Sequence, residues 1–293
     1  MNEIKSPALT NSKVPGWHFT MMRDSARNSA IEAAIASCNV IGKTIVEIGT
    51  GAGLPAMLFA RYGARKVLSC EMDERIAAAA REIIRANELK DCIEVIAKSS
   101  RQAILDGDLP LAPDIIFTET LDAGVVGEGY EAIAEDIRRI ASHNTVVLPN
   151  RIQQFGFLCT DVDAFERNSV FKQCGFDLSG FNVFAERSYF LVSQLQNDPV
   201  CLSATVLFRD YDYLNPNALD PVEHQVIAYS SGVCHGMTSY FDVYFGKFLV
   251  TSRDRKSHWH AAFHPLREPM QVQSGRRYLL RGDKTGLIDL VSL

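Results

Sequence analysis

Two glutamates, Glu119 and Glu128, stand nine positions apart in Glu119-Thr120-Leu121-Asp122-Ala123-Gly124-Val125-Val126-Gly127-Glu128-Gly129. The glycines between them let a short loop double back, so that both carboxylates can be turned toward one point. A pair of carboxylates so placed suits a planar cation with a fixed fork of N–H donors, and guanidinium is the side chain with that shape. Guanidinium nitrogens are poor nucleophiles at neutral pH, because the group has a pKa above about 12. Two carboxylates can orient it, polarise it and concentrate lone-pair character on one nitrogen. On residue pattern alone a second reading stays open, in which one glutamate favours the N-terminus of the following helix and the other is solvated.

A second cluster is Val46-Glu47-Ile48-Gly49-Thr50-Gly51-Ala52-Gly53-Leu54. Glycine lets backbone turn sharply and approach a ligand closely. The dinucleotide fingerprint is G-x-G-x-x-G, whereas Gly49, Gly51 and Gly53 are spaced G-x-G-x-G with Glu47 two positions ahead, so a pyrophosphate fits poorly. The loop favours a nucleoside without phosphates. About twenty residues on, Glu71 ends the apolar run Val67-Leu68-Ser69-Cys70, where a carboxylate can accept from both ribose hydroxyls; otherwise it is a solvated strand end.

The elements that must position these residues alternate in the first half. Short β-branched runs at 44–48, 66–71, 93–96, 114–118 and 145–148 predict strands, and 54–62, 74–87 and about 130–141 predict helices between them. This is the pattern of a parallel sheet wound with helices. Upstream, 23–36 predicts one more helix, with Asp24 or Ser25 near its start. After Leu148-Pro149 the texture becomes β-type, with strands expected within 153–159, 200–208, 241–250 and 277–280. Within this all-β half, 160–185 is rich in Phe (165, 171, 176, 181 and 184), as a core flap or a docking arm would be.

Composition narrows the function classes. The 293 residues exceed one typical domain and can bury a sizeable core. A hydrophobic share of 47% with 22% charged residues is ordinary for a soluble protein. No apolar run reaches the roughly 18 to 20 residues that a membrane span needs. The net charge of −5 argues against a nucleic-acid partner, which calls for clustered Lys and Arg. Seven cysteines without C-x-x-C pairs read as reduced thiols, and neither they nor the seven histidines form metal-ligand spacings, so no metal is expected. Residues 1–15 are polar without an apolar signal core, and a cytoplasmic location is expected.

Taken in order, these pieces resemble the protein arginine methyltransferase family, from about Trp17 to the C-terminus. The resemblance rests on the Val46–Gly53 loop, the acidic strand end at Glu71, a double-glutamate loop with the family's spacing, and Ser257-His258-Trp259. The last is similar to the family's threonine-histidine-tryptophan loop, with Ser in place of Thr. The resemblance implies an α/β fold: a seven-stranded-type Rossmann-like methyltransferase domain over 1–149, then an all-β barrel domain over 150–293. It makes 160–185 a dimerisation arm and the protein a homodimer.

It also implies S-adenosyl-L-methionine as cofactor, with Glu47, Gly49, Gly51, Gly53, Glu71, Ser99, Ser100 and Glu119 among its contacts. Met21-Met22-Arg23-Asp24-Ser25-Ala26-Arg27-Asn28 resembles the family's N-terminal helix, which puts Met21 at the acceptor channel and Arg27 on the cofactor's carboxylate. Glu119, Glu128, His258 and Met21 become the catalytic set, with Trp259 joining Glu119, Glu128 and His258 around the acceptor. The pattern E-x-x-D ending in G-E-G is similar to the monomethylating branch, which usually carries two tandem modules; with one module here, a homodimer would supply the second. The family's tyrosine-rich segment is replaced by Trp17-His18-Phe19, and Lys98-Ser99-Ser100 lacks the acidic residue that many members offer to adenine.

The expected activity is methyl transfer to a guanidino nitrogen of arginine, in an arginine-containing protein or as free L-arginine. For free arginine, Arg23, Arg187 and Tyr189 are candidates for its α-groups. Competing readings are a methyltransferase for another small-molecule nitrogen or a carboxylate, and a non-catalytic cofactor-binding scaffold.

Overall fold

The structure is a computed structural model that describes residues 13–193, 198–254 and 256–293. The reading of the N-terminal segment as lacking a signal falls mainly on residues 1–12, outside the described residues. Helices α1 (Trp17–Arg23) and α2 (Ser25–Ser37) lead into β1 (Thr44–Ile48), α3 (Leu54–Arg61), β2 (Lys66–Cys70), α4 (Glu74–Ala86) and β3 (Ile93–Ile96). There follow α5 (Ser100–Leu105), β4 (Ile115–Thr118), α6 (Tyr130–Ile140) and β5 (Val146–Leu148). The five strands form one parallel sheet in the order β3-β2-β1-β4-β5. Helices α4 and α6 bury one stripe each, Ala77, Ala80 and Ile84 on the first and Ile133, Ala134, Ile137 and Ile140 on the second, as amphipathic crossover helices do.

The register explains why distant residues meet. Ile48 of β1 pairs with Cys70 of β2 on one side and with Thr118 of β4 on the other. Gly49, Glu71 and Glu119 are therefore the next residues along three adjacent parallel strands. The chain order reverses between β1 and β4, the switch point at which open α/β sheets bind ligands.

The second half begins with β6 (Arg151–Thr160), α7 (Val162–Arg167), the hairpin β7 (Lys172–Gln173) and β8 (Phe176–Asp177), and a 3-10 turn, Ser179–Phe184. It continues through β9 (Phe190–Val192), β10 (Val200–Cys201), β11 (Val206–Tyr211), β12 (Val222–Ile227) and β13 (Gly232–Phe245). Last come β14 (Phe248–Thr251), β15 (Ala261–Val272), β16 (Arg277–Gly282) and β17 (Ile288–Ser292). Seven of these strands make an antiparallel sheet centred on β6, β13 and β15; β12, β16 and β17 make a second sheet. One core cluster runs through both halves, and the rings of Phe117 and Phe245 stack across it at 5.9 Å.

The α/β-then-β architecture is as expected, with local corrections. The helix expected over 23–36 is α2, which starts at Ser25 with Asp24 as its cap, the Asp24 carboxylate accepting the Arg27 N–H; Arg23 instead ends a separate helix, α1, that was not expected. The strand expected over 200–208 is interrupted because Ser203 Oγ, rather than a backbone carbonyl, takes the Leu158 N–H. That over 241–250 is a hairpin turning at Gly246-Lys247, with Gly246 in the left-handed region. The all-β half also holds α7, capped by Asp161. The parallel sheet has five strands where a seven-stranded type was expected, since from β5 the chain passes directly into β6 of the antiparallel sheet. Within the Phe-rich stretch, Phe165 is core, whereas Phe171, Phe176, Phe181 and Phe184 are exposed.

Candidate active site

The glycine loop is built by backbone. The N–H groups of Gly49 and Thr50 both donate to the Cys70 carbonyl, at 2.9 and 3.2 Å, which bends the chain off β1. Gly49 has φ +89°, and a Cβ there would lie 2.6 Å from Thr120 Cγ2, so only glycine lets this loop touch the double-glutamate loop. Gly51 donates its N–H to Glu71 Oε2 at 3.0 Å, and Asp73 donates to Glu71 Oε1 at 3.0 Å. A carboxylate has about four acceptor positions, so Glu71 keeps capacity for hydroxyl donors.

Two predicted groups lie deeper. Glu47 is wholly buried beneath the loop and accepts from Ser69 Oγ; burial, opposed only in part by that bond, pushes its pKa up to about 8. Gly53 has φ +82° and would meet Ile84 if it carried a Cβ, so it serves the packing of α3 on α4. Ser99 caps α5 by accepting the Gln102 N–H, and Ser100 donates to Asp136 at 2.7 Å. The hydroxyl hydrogen of Ser100 is thus committed within the protein.

Glu119 meets a guanidinium. Arg27 Nε donates to Glu119 Oε2 at 2.7 Å, and Arg27 Nη2 donates to the same oxygen. Both side chains are nearly buried, at 6% and 3% exposure, and Arg27 Nη1 is held by Asn28 Oδ1 at 2.9 Å. Oε1 of Glu119 takes no hydrogen bond among the described residues. Burial lowers the Arg27 pKa to about 10 against the pull of Asp24 and Glu47, which still leaves it charged at neutral pH. Met21, Arg27, Gly49, Gly51, Phe117 and Glu119 line one cavity, which brings five predicted residues together.

The Ser-His-Trp loop is fastened to this assembly at two points. His258 Nδ1 donates to Asp24 Oδ2 at 2.9 Å, with its backbone N–H on the same oxygen at 3.3 Å. Burial tends to raise Asp24, but the bonds from His258 and from the Arg27 N–H outweigh it and hold the carboxylate at about 2. Burial likewise lowers His258, and the attraction of Asp24 does not restore it. The pair at neutral pH is a carboxylate and a neutral imidazole protonated on Nδ1, so Nε2 is left as a base. Trp259 is core: it packs edge-on against Phe241 at 5.1 Å and donates Nε1–H to the Leu121 carbonyl at 2.8 Å. It therefore braces the double-glutamate loop from behind.

Glu128, at the far end of that loop, accepts no hydrogen bond among the described residues. The residue is exposed, but surrounding protein partly desolvates its carboxyl and Asp122 and Glu71 add like charge. Desolvation first, and those two carboxylates second, push its pKa up to about 7. Beside it, an open groove of about 570 Å³ is lined by Gly127, Gly129, Glu135, Tyr189, Lys284 and Thr285.

Of the three residues expected for an arginine head group, Arg187 turns away and donates to the Asn182 carbonyl at 2.9 Å. Arg23 is exposed in the last turn of α1. Tyr189 does reach the site, donating to Asp122 Oδ2 at 2.9 Å. Reading the sequence assigned Asp24 only to a helix start, although its place three residues before Arg27 is the spacing of a cap; nothing in the sequence linked it to His258.

No protein-family model matches the chain. An arginine N(omega)-methyltransferase of Streptomyces achromogenes subsp. streptozoticus is 31% identical over 282 residues, 93% of this chain and 77% of that protein. Protein arginine N-methyltransferase 9 of Mus musculus is 34% identical over 122 residues, 41% of this chain and 14% of its own length. Among solved structures, the Trypanosoma brucei PRMT1 enzyme–prozyme heterotetrameric complex with AdoHcy gives a TM-score of 0.74 at 20% identity, covering 92% of this chain and 87% of that one. Arabidopsis thaliana protein arginine methyltransferase 10 gives 0.71 at 19%, covering 90% and 86%. These two likenesses are of fold.

Proposed function

Because the chain belongs to the protein arginine methyltransferase family and is an S-adenosylmethionine-dependent arginine N-methyltransferase, we propose that Glu119 and Glu128 hold the acceptor guanidinium between them. The observation that carries this is the pair of open acceptors: Arg27 occupies only Oε2 of Glu119, and neither Glu119 Oε1 nor Glu128 accepts a hydrogen bond among the described residues, while Asp122 and Glu71 add like charge beside Glu128. Carboxylates so placed make a site that favours a cation. A guanidinium entering it relieves the repulsion, and the free Oε1 of Glu119 takes the second edge of the fork.

The residues beneath β1 fit the cofactor: Gly49 admits no Cβ, and Glu71 is held by two backbone N–H groups with acceptor capacity to spare. When bound, S-adenosylmethionine supplies an electrophilic methyl carbon on a sulfonium. In our reading Glu71 takes the ribose hydroxyls, Arg27 the carboxylate, and Met21 the wall toward the acceptor. Glu119 and Glu128 fix the guanidinium and polarise one nitrogen, and His258, neutral and held by Asp24, offers Nε2 nearby as a proton acceptor. Most of the acceleration then comes from positioning and electrostatics.

The acceptor is arginine within a protein or free L-arginine, its remainder lying in the groove beside Tyr189. We further propose monomethylation, on the resemblance of the E-x-x-D and G-E-G pattern, a homodimer joined through the arm, and a cytoplasmic location. No helix among the described residues is long and apolar enough to cross a membrane. The test supplies labelled cofactor with free L-arginine or an arginine-rich peptide and identifies the product by mass spectrometry. Label on neither acceptor, or full turnover by Glu128→Gln, would overturn the assignment of the two glutamates.

A further inference from the structure

The double-glutamate loop holds a backbone conformation that its sequence does not favour. Val125, a β-branched residue, has φ +77°, in the left-handed region, and is fully buried. Such a conformation is unfavourable for a β-branched residue and persists only where its surroundings over-determine it. The surroundings here are one side chain from within the loop and one from the opposite half of the molecule. Asp122 Oδ1 accepts the Gly127 N–H at 3.0 Å, closing the loop on itself just before Glu128. Asp122 Oδ2 accepts the Tyr189 hydroxyl at 2.9 Å.

Tyr189 is seated in a notch made by glycines. A Cβ on Gly124 would lie 2.1 to 2.5 Å from its ring carbons, and one on Gly127 would lie 2.7 Å from its hydroxyl and 2.3 Å from Asp122 Oδ2. On the other side, a Cβ on Gly286 would come within 2.6 Å of the ring. The ring is thus held between the double-glutamate loop and the turn that joins β16 to β17. Its backbone is fixed by the next residue, since Phe190 opens β9 and pairs with Phe263 of β15.

We propose that Asp122 and Tyr189 are positioning residues, a clamp from the antiparallel half that sets where Glu128 stands relative to Glu119. Neither touches the reacting atoms in this assignment. The clamp fixes the backbone between Asp122 and Gly127, and Glu128 is the next residue. This inference rests on Glu128 holding the acceptor guanidinium.

The test measures kcat, KM for arginine and Kd for S-adenosylhomocysteine in Tyr189→Phe, Tyr189→Leu, Gly124→Ala and Asp122→Asn, with Glu128→Gln beside them and Tm recorded for each. Tyr189→Phe keeps the ring and loses one hydrogen bond, so kcat falls about 10-fold. Tyr189→Leu and Gly124→Ala dislodge the ring and lower it about 100-fold, the scale of a 1 Å misplacement. Affinity for S-adenosylhomocysteine stays within about 2-fold throughout. Asp122→Asn removes one of the two charges, with Glu71, that raise Glu128, and moves the acid limb of kcat/KM to lower pH by charge alone; Tyr189→Phe keeps both charges, so a shift of its limb reports a displaced Glu128, and a merely structural role leaves that limb in place.

If Glu128→Gln is inactive while Tyr189→Phe and Gly124→Ala keep wild-type kcat, the clamp is overturned and the acceptor assignment stands. Loss of cofactor affinity in step with kcat also overturns the clamp. If Glu128→Gln is itself fully active, the reading beneath it falls.

Discussion

Arg27 gives two of its N–H groups, on Nε and Nη2, to one oxygen of Glu119, across a sequence separation of 92 residues, with both side chains nearly buried. This pair joins the N-terminal helix to the double-glutamate loop and leaves Glu119 Oε1 without a hydrogen bond among the described residues, the atom proposed to meet the acceptor. Breaking one member leaves the other charge buried and unpaired. We expect Arg27→Lys, which lacks the planar fork, to lower kcat/KM at least 100-fold and to weaken cofactor binding as well. Calorimetry with S-adenosylhomocysteine beside steady-state kinetics checks this; intact cofactor binding would remove Arg27 from the carboxylate.

Activity should follow the ionisation of Glu128. With its pKa at about 7, the free enzyme carries a neutral carboxyl in acid and the anion that holds guanidinium only above that point. The plot of log kcat/KM against pH should rise with a slope of about one below pH 7 and level off above it. Because the bound cation favours the anion, the limb in kcat should lie at lower pH. A pH series with arginine below and above KM reads both.

The Asp24–His258 pair separates capping from catalysis. Asp24→Asn keeps an N-cap for α2, so Tm should change little, whereas Asp24→Ala should cost about 1 kcal/mol of stability from the lost cap alone. In both variants His258 loses the acceptor that fixes its tautomer, and kcat should drop about 10-fold. Thermal melts and kinetics on the same preparations make the comparison. A full kcat in Asp24→Asn would reduce the pair to a structural link.

Glu47 should make the fold less stable in base. Its folded pKa, about 8, lies above the ordinary value of 4.5, so its contribution is fully present below about pH 4.5 and is lost as pH rises through 8. Glu47→Gln still offers a carbonyl to Ser69 but does not titrate. Urea melts at pH 6 and pH 8.5 should show the wild type losing more stability across that interval than the variant does.

The proposed arm, 160–185, exposes Phe176, Phe181 and Phe184, an apolar surface of the kind that marks a docking site. We expect the double substitution Phe181→Ser with Phe184→Ser to shift the protein from dimer to monomer in sedimentation, with the Tm of the monomer little changed. A wild-type protein that sediments as a monomer would remove the homodimer from the proposal.

What the sequence determined was whatever depends on local pattern. Glycine spacing, strand-ending acids and β-branched runs announced the parallel sheet, and the 119–128 interval announced two carboxylates on one loop. The Ser99-Ser100 pair shows the limit of such reading: the motif position was legible, but Ser100 donates to Asp136 on α6, a partner no local pattern names. The start of α2 at Asp24 was legible as a cap, but the short helix α1 before it was not, because it buries none of its residues and so carries no core-facing stripe.

Only the tertiary structure decided how that loop is aimed. Arg27, Trp259 and Tyr189 grip it at Glu119, Leu121 and Asp122, and they come from three parts of the chain that are far apart in sequence. Contacts of that kind leave no periodicity, since each is a donor group meeting an acceptor brought near only by folding, and those of Trp259 and Tyr189 exist only once both halves have packed. The ionisation of Glu128 is set in the same way, by partial desolvation and by the charges of Asp122 and Glu71 that folding brings near it.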